Sequence, residues 1–246
     1  ARSEMGHLKL KVITFDAFNT IIRIKGGSPG KTYARAARQL NIVAEPKVLD
    51  EAYRYVYRDM KRNYPIYGVR HGMTAKQWWG DIVRDTFHNS GYNMNMLQME
   101  KLSGTLYKNF AESDTWELFP QSEEVLLSLK NRGLRLAIIS NFDERLYSIL
   151  TAMKLQDIFD FVVTSHSCHY EKPDPRIFNH ALEKAGVSAA EVAHVGDDLK
   201  NDFWGPRNVG MHSFLLDPYN NYSNVDLQDL DKSYVIRQLS EIEQFL

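Results

Sequence analysis

The chain has 246 residues, of which 30 are basic and 31 acidic, for a formal net charge of −1. That balance excludes the strong global field that recruits nucleic acid or anionic membrane. No apolar run approaches the ~18 residues of a membrane span, and 43% hydrophobic with 25% charged residues is ordinary for a soluble globular protein.

Ala1 to His7 are polar and lack a signal-peptide pattern. Leu8 to Phe15 is apolar enough for a first strand, ending at Asp16. A break at Gly26-Gly27-Ser28-Pro29-Gly30 follows, where Ser28 can cap a helix that begins at Pro29. Tyr33, Ala36, Ala37 and Leu40 repeat at helical spacing. A second helix is predicted over 47–61 on Val48, Ala52, Val56 and Met60. Thr74 opens a third, with Trp78, Trp79, Ile82 and Val83, and a fourth spans 94–110. Four helical patterns with no clear strand predict a bundle-like helical unit at 23–116, inserted into a core formed by 8–22 and 117–246.

After Pro120 strands and helices alternate. Helices are predicted over 122–132, 144–153 and from Asp174-Pro175 to Gly186. Strands are predicted over Leu134–Ile139, Phe161–Thr164, Val192–Val195 and His212–Leu216. This alternation predicts an α/β core, a Rossmann-like parallel sheet with helices on both faces.

Four polar features fall just after predicted strands: Asp16, Ser140-Asn141, Lys172 and Asp197. In a parallel sheet such strand ends share one edge, so the four can converge in one crevice. The set suits phosphate. Asp16 is a carboxylate nucleophile, the Ser140 hydroxyl and the Asn141 backbone N–H can donate to phosphoryl oxygens, and Lys172 adds positive charge. Asp16 and Asp197 can hold a hard divalent cation, and Mg²⁺ fits best because it accepts carboxylates, waters and phosphate oxygens together. Taken singly, each residue has a plainer reading: Ser140 and Asn141 as helix caps, Asp197 and Asp198 as acids in a first helical turn.

The ordered set resembles the haloacid dehalogenase-like hydrolase superfamily. The matching stretches are Phe15-Asp16-Ala17-Phe18-Asn19-Thr20, Ile139-Ser140-Asn141, Lys172-Pro173 and Val195-Gly196-Asp197-Asp198-Leu199-Lys200-Asn201-Asp202. The helical insertion resembles the family's type-1 cap. The resemblance implies in-line attack by Asp16 on phosphorus to give an aspartyl-phosphate. It implies Mg²⁺ held by Asp16, the Phe18 carbonyl and Asp197, with Asp202 and Asp198 orienting the groups around it. Ser140 and Lys172 would bind the transferring group, and Thr20 would support the turn that aims Asp16.

Phe18 departs from the phosphatase pattern, in which an aspartate stands two residues after the nucleophile and serves as general acid and base. Such groups contribute ~10²–10⁴-fold. Poor alkoxide leaving groups should therefore suffer most, and acyl or aryl phosphates least. Dehalogenases of the superfamily carry tyrosine there, which makes a 2-haloacid dehalogenase the alternative enzyme. A phospho-ligand-binding protein without turnover is the alternative outside enzymes.

Tyr64 to Gly72 joins two of the predicted helices. Arg70 and His71 in that loop can reach an anionic substrate; the plainer reading is that Tyr64 and Tyr67 pack the bundle and Arg70 is solvated. Trp78-Trp79 should split, with one ring buried and the other near the crevice. The lone Cys168 permits no internal disulfide and fits a reducing compartment. The expectations are a cytoplasmic monomer with a small phosphorylated substrate and no nucleic-acid or membrane partner.

Overall fold

The computed structural model describes residues 8–246, and the polar segment 1–7 lies outside them. The described chain divides into two compact units. The first runs to Arg23 and adds Leu118–Asn141 and Leu155–Leu246; the second comprises Ile24–Glu117 and Phe142–Lys154. Each is described in its own right.

The elements that build them, in chain order, are β1 (Val12–Phe15), β2 (Ile22–Ile24), α1 (Pro29–Arg38), α2 (Pro46–Asn63), α3 (Ala75–Asn89), α4 (Met96–Asn109) and β3 (Trp116–Leu118). They continue with α5 (Ser122–Asn131), β4 (Arg135–Ser140), α6 (Arg145–Ala152), β5 (Phe161–Thr164), the single turn α7 (Ser165–Cys168), α8 (Pro175–Ala185), β6 (Val192–Gly196), β7 (His212–Leu216) and β8 (Val235–Ile236).

The first unit is built on a six-stranded sheet in the order β5-β4-β1-β6-β7-β8. Every pairing is parallel, with Phe15 opposite Ile138 on one side and Val195 on the other. Central β1 is buried along its whole length. That is why it reads as an unbroken apolar run and not as an alternation. Val12, Ile139, Val163 and Val192 of the sheet pack with Ile177, Phe178 and Ala181 of α8. β2 and β3 form a separate two-stranded sheet.

In the second unit α1 packs on α2 and α4, α2 on α3, and α3 on α4. The predicted starts are observed. The Ser28 side chain accepts from the Lys31 N–H, and Thr74 forms a reciprocal cap with Gln77. Gly30 allows α1 to approach α2 closely, since a Cβ there would lie 2.2 Å from the Pro46 carbonyl oxygen. Tyr33, Ala37, Leu49, Val83, Phe87 and Leu102 fill one cluster, and Val56, Tyr67, Trp78 and Ile82 another.

Phe142–Lys154 packs with this helical unit through Asp143 and Arg145. The fully buried Asp143 receives hydrogen bonds from Arg145 Nη2 at 2.6 Å and Trp79 Nε1 at 2.7 Å. The Arg145 guanidinium lies 4.9 Å from the Trp79 ring and 4.4 Å from the Tyr107 ring. A buried ion pair with this many donors is costly to break from one side. Among the described residues no helix is long and apolar enough to cross a membrane.

Candidate active site

Asp16 follows β1 directly, and its N–H bonds the Val195 carbonyl at 2.8 Å, which extends the β1–β6 ladder by one residue. The chain then turns sharply. The amides of Ile21 and Ile22 both reach back to the Ala17 carbonyl. Asn19 adopts a left-handed φ of 59°, which a short polar side chain tolerates better than a branched one. Parallel pairing of β1 with β4 and β6 brings Asp16, Ser140 and Asp197 to the same sheet edge. Lys172 reaches that edge from the loop beyond β5.

Lys172 is 3% exposed and sits at the centre of the cluster. Its ammonium donates to Asp16 Oδ1 at 2.7 Å, Asp202 Oδ1 at 2.6 Å and the Ile139 carbonyl at 2.8 Å. The Ser140 hydroxyl at the end of β4 adds a smaller favourable interaction with the Asp16 carboxylate. Asp202 can approach because Gly196 has no side chain: a Cβ there would lie 2.3 Å from Asp202 Cγ. Oxygens of Asp16, Asp197 and Asp202 lie within 4.8 Å of one another.

Burial works against charge throughout this cluster. It lowers the ammonium of Lys172, but Asp16 and Asp202 outweigh it and push the group up to about 12. Burial raises Asp16, with Lys172 opposing and Asp202 adding. Asp202 would also be raised by burial, yet Lys172 and His194 hold it below the usual carboxylate range. Asp197 is pushed up to about 8, by burial first and then by the charges of Asp16 and Asp202. With Asp197 ionised, three carboxylates facing one ammonium carry two net negative charges, the amount one divalent cation balances. The donor set is all oxygen, as a hard cation requires. The residues present therefore fit Mg²⁺.

The raised Asp197 pKa has a measurable consequence. A folded-state pKa of about 8 against an ordinary 3.8 means that the folded protein holds a proton the unfolded chain has released. Stability from this group is present at low pH and is lost as pH rises from about 4 to about 8. His194 opposes this below about 6.5, because burial keeps it neutral while the unfolded chain takes up a proton there. Comparison with Asp197→Asn isolates the effect. In chelator, wild-type Tm should fall relative to the variant across that range by at least about 3 °C. Added Mg²⁺ should close the gap by binding the ionised cluster. Parallel melting curves at every pH would contradict this account.

The other sequence candidates are placed differently. The Asn141 side chain accepts from the Lys172 N–H at 2.7 Å and donates to the Lys172 carbonyl at 3.0 Å, so it clasps the lysine's backbone. The Asp198 carboxylate accepts from the N–H groups of Lys200 and Asn201 and caps the six-residue π-helical turn Leu199–Trp204. Thr20 is fully buried, and its hydroxyl has no protein partner. Phe18 is 38% exposed and forms a backbone bridge with Ile22. Arg70 and His71 belong to the helical unit, in the 3₁₀ segment Ile66–His71. There Tyr67 is buried and the Tyr64 ring stands edge-on to His71 at 5.1 Å. Trp78 is buried, donating to the Tyr64 carbonyl, and Trp79 is half-buried.

Among the described residues, His194 and Tyr222 also touch this cluster. His194 bonds Asp202 at 3.1 Å. The Tyr222 hydroxyl ties the loop after β6 by donating to the Asp197 carbonyl at 2.9 Å and accepting from the Leu199 N–H at 3.0 Å. A histidine in an otherwise apolar strand was the available signal for the first. Nothing in the pattern marks Tyr222.

The model of the haloacid dehalogenase-like hydrolases matches residues 10–210. The chain is 42% identical over 213 residues to the human haloacid dehalogenase-like hydrolase domain-containing protein 3, covering 86% of this chain and 84% of that one. It is 30% identical over 217 residues to the Drosophila melanogaster rhythmically expressed gene 2 protein, covering 85% and 83%. A solved dehalogenase superimposes with a TM-score of 0.72 at 22% identity, covering 96% of this chain and 97% of that one. A Bacillus subtilis HAD-hydrolase, YfnB, solved bound to magnesium, gives 0.71 at 19% identity, covering 96% and 98%. The chain belongs to the haloacid dehalogenase-like hydrolase family, and its Rossmann-like core is the family fold.

Proposed function

We propose that the protein is a Mg²⁺-dependent hydrolase of small phosphorylated molecules with good leaving groups. The observation that carries this reading is the meeting of buried Asp16 and Asp202, both bonded to Lys172, with half-buried Asp197. The likeness to a family member solved with magnesium supports the choice of cation. Asp16, the Phe18 carbonyl and Asp197 would hold the ion. Bound there, Mg²⁺ would screen the carboxylates and polarise phosphoryl oxygens.

An oxygen of Asp16 forms a bond to phosphorus as the bond to the leaving oxygen breaks, and the leaving group departs with that electron pair. Water then attacks the aspartyl-phosphate, releasing inorganic phosphate and restoring the carboxylate. Ser140 keeps Asp16 oriented and Lys172 offsets the charge that builds on the transferred group. Asp202 and Asn141 hold Lys172 by its side chain and its backbone. Asp198 commits its Oδ1 to capping, where it accepts from the N–H groups of Lys200 and Asn201. A single cysteine, half-buried Cys168, is consistent with a cytoplasmic setting.

Phe18 cannot protonate a leaving oxygen. Acetyl phosphate or an aryl phosphate should therefore be cleaved at least about 10²-fold faster than an alkyl phosphate, and only with Mg²⁺. A panel of phosphorylated compounds assayed with and without Mg²⁺ tests this. Halide release from a 2-haloacid without metal would select the dehalogenase reading, which the acidic cluster disfavours because its carboxylates outnumber the single ammonium of Lys172 beside a carboxylate substrate. The Phe18 position also favours a second reading, a phosphate-binding protein without turnover. Mg²⁺-dependent phosphate binding with no cleavage even of acetyl phosphate would select it.

A further inference from the structure

His194 lies in β6 with no exposed surface, between the aliphatic neighbours Ala193 and Val195. An imidazole there needs two polar partners to offset its desolvation. It has them, and one leads into the candidate site. Nε2 lies 3.1 Å from Asp202 Oδ1, and Nδ1 lies 2.8 Å from Thr14 Oγ1 on β1. The Phe178 ring stands edge-on to the imidazole at 5.9 Å and 80°, which fixes its plane.

The hydrogen positions follow from chemistry. Asp202, ionised beside Lys172, can only accept, so Nε2 must carry the hydrogen. Burial keeps the ring neutral, so Nδ1 accepts from the Thr14 hydroxyl. The contact from that hydroxyl to the Ala193 carbonyl, at 3.4 Å, is the longer of its two options. Asp202 Oδ1 thus accepts from both His194 and Lys172, and its Oδ2 accepts from the Asp198 N–H at 3.0 Å. The result is a continuous buried series from Thr14 through His194, Asp202 and Lys172 to Asp16.

We propose that His194, oriented by Thr14, is a positioning residue that aims the Asp202 carboxylate so that Lys172 stays against Asp16. This rests on the reading of Asp16 and Lys172 given under Proposed function. A core histidine that merely fills space would not need its Nε2–H on the carboxylate that anchors the site lysine.

Nitrogen NMR of ¹⁵N-histidine-labelled protein reads the ring directly. At neutral pH His194 should be neutral with its hydrogen on Nε2. Hydrogen on Nδ1 alone, or an imidazolium, overturns the proposal. Wild type is first tested for a Mg²⁺-dependent fluoroberyllate adduct on Asp16 by ¹⁹F NMR. Failure there overturns the reading of the whole site; a formed adduct leaves the variants to judge His194 alone.

With acetyl phosphate as substrate, His194→Phe should lower kcat by about 10–100-fold with KM within about 3-fold of wild type. His194→Gln, whose amide can still donate to Asp202, should return to within about 5-fold of wild type. Thr14→Val is the milder variant and should cost about 5-fold in kcat, the worth of one hydrogen bond. A phenylalanine variant with wild-type kcat overturns the proposal, as do phenylalanine and glutamine variants that fall together. If His194→Phe does not fold, a Thr14→Val variant with wild-type kcat overturns it equally.

Discussion

Asp16→Asn should lower acetyl phosphate hydrolysis by about 10⁴-fold or more and at the same time raise Tm by about 2 °C or more. The two effects share a cause. Asparagine has no anionic oxygen to attack phosphorus, so the covalent route closes. Its carbonyl can still accept the hydrogen bond that Lys172 now gives to Asp16 at 2.7 Å. What the substitution removes is a buried charge that desolvation and Asp202 both disfavour. Sites arranged for reaction often carry strain of this kind, and relieving it stabilises the fold. Activity within about 10-fold of wild type would remove Asp16 from the nucleophile role. A fall in Tm alongside lost activity would instead mark Asp16 as a structural ion-pair partner. Melting in chelator with a matched kinetic assay separates these outcomes.

Phe18→Asp should raise kcat/KM for alkyl phosphates by about 10²-fold while changing acetyl phosphate turnover by less than about 10-fold. The asymmetry is the informative part. An alkoxide departs slowly unless it is protonated as its bond to phosphorus breaks. A carboxylate leaving group needs no such help. Phe18 is 38% exposed, and its bridge to Ile22 is a backbone contact. The turn after Asp16 is held by main-chain bonds to the Ala17 carbonyl, so the substitution leaves it intact. An unchanged ratio between the two substrate types would show that another group already supplies the proton. A uniform rise on both substrates would point to altered substrate access in place of acid catalysis.

The sheet was legible because its central strands are buried on both faces. Val12-Ile13-Thr14-Phe15 and Leu136-Ala137-Ile138-Ile139 read as apolar runs, each ended by a polar residue at the shared sheet edge. The expected strand over 8–15 begins its pairing only at Val12. β2, β3 and β8 went unread because three or two residues carry no usable period. Asp143 and Arg145 were invisible for a different reason. Their pairing is local in sequence, but its burial depends on the Trp79 and Tyr107 rings from elsewhere in the helical unit.

At the site, residue type and position past a strand end were enough to gather Asp16, Ser140, Lys172 and Asp197. They did not reveal how side chains divide the work. Asn141 serves the Lys172 backbone and Asp198 caps the turn at Leu199, a local use that any acid before a helix can adopt. His194 stayed hidden because a histidine among aliphatic residues carries no periodic signal, and its importance depends on Asp202, eight residues on, folding back to meet it.

An ammonium has three hydrogens, and those of Lys172 already go to Asp16, Asp202 and Ile139. An incoming phosphate oxygen can gain one of them only through exchange. The Ile139 acceptor is main chain and cannot be altered by substitution, and Asp202 is pinned by His194 and the Asp198 amide. In the proposed phosphoryl transfer Asp16 is the partner whose demand would change, since forming the acyl phosphate drains its negative charge. In that proposed reaction the lysine would turn from the spent carboxylate to the phosphoryl group bound on it, so that transfer itself would supply the missing donor.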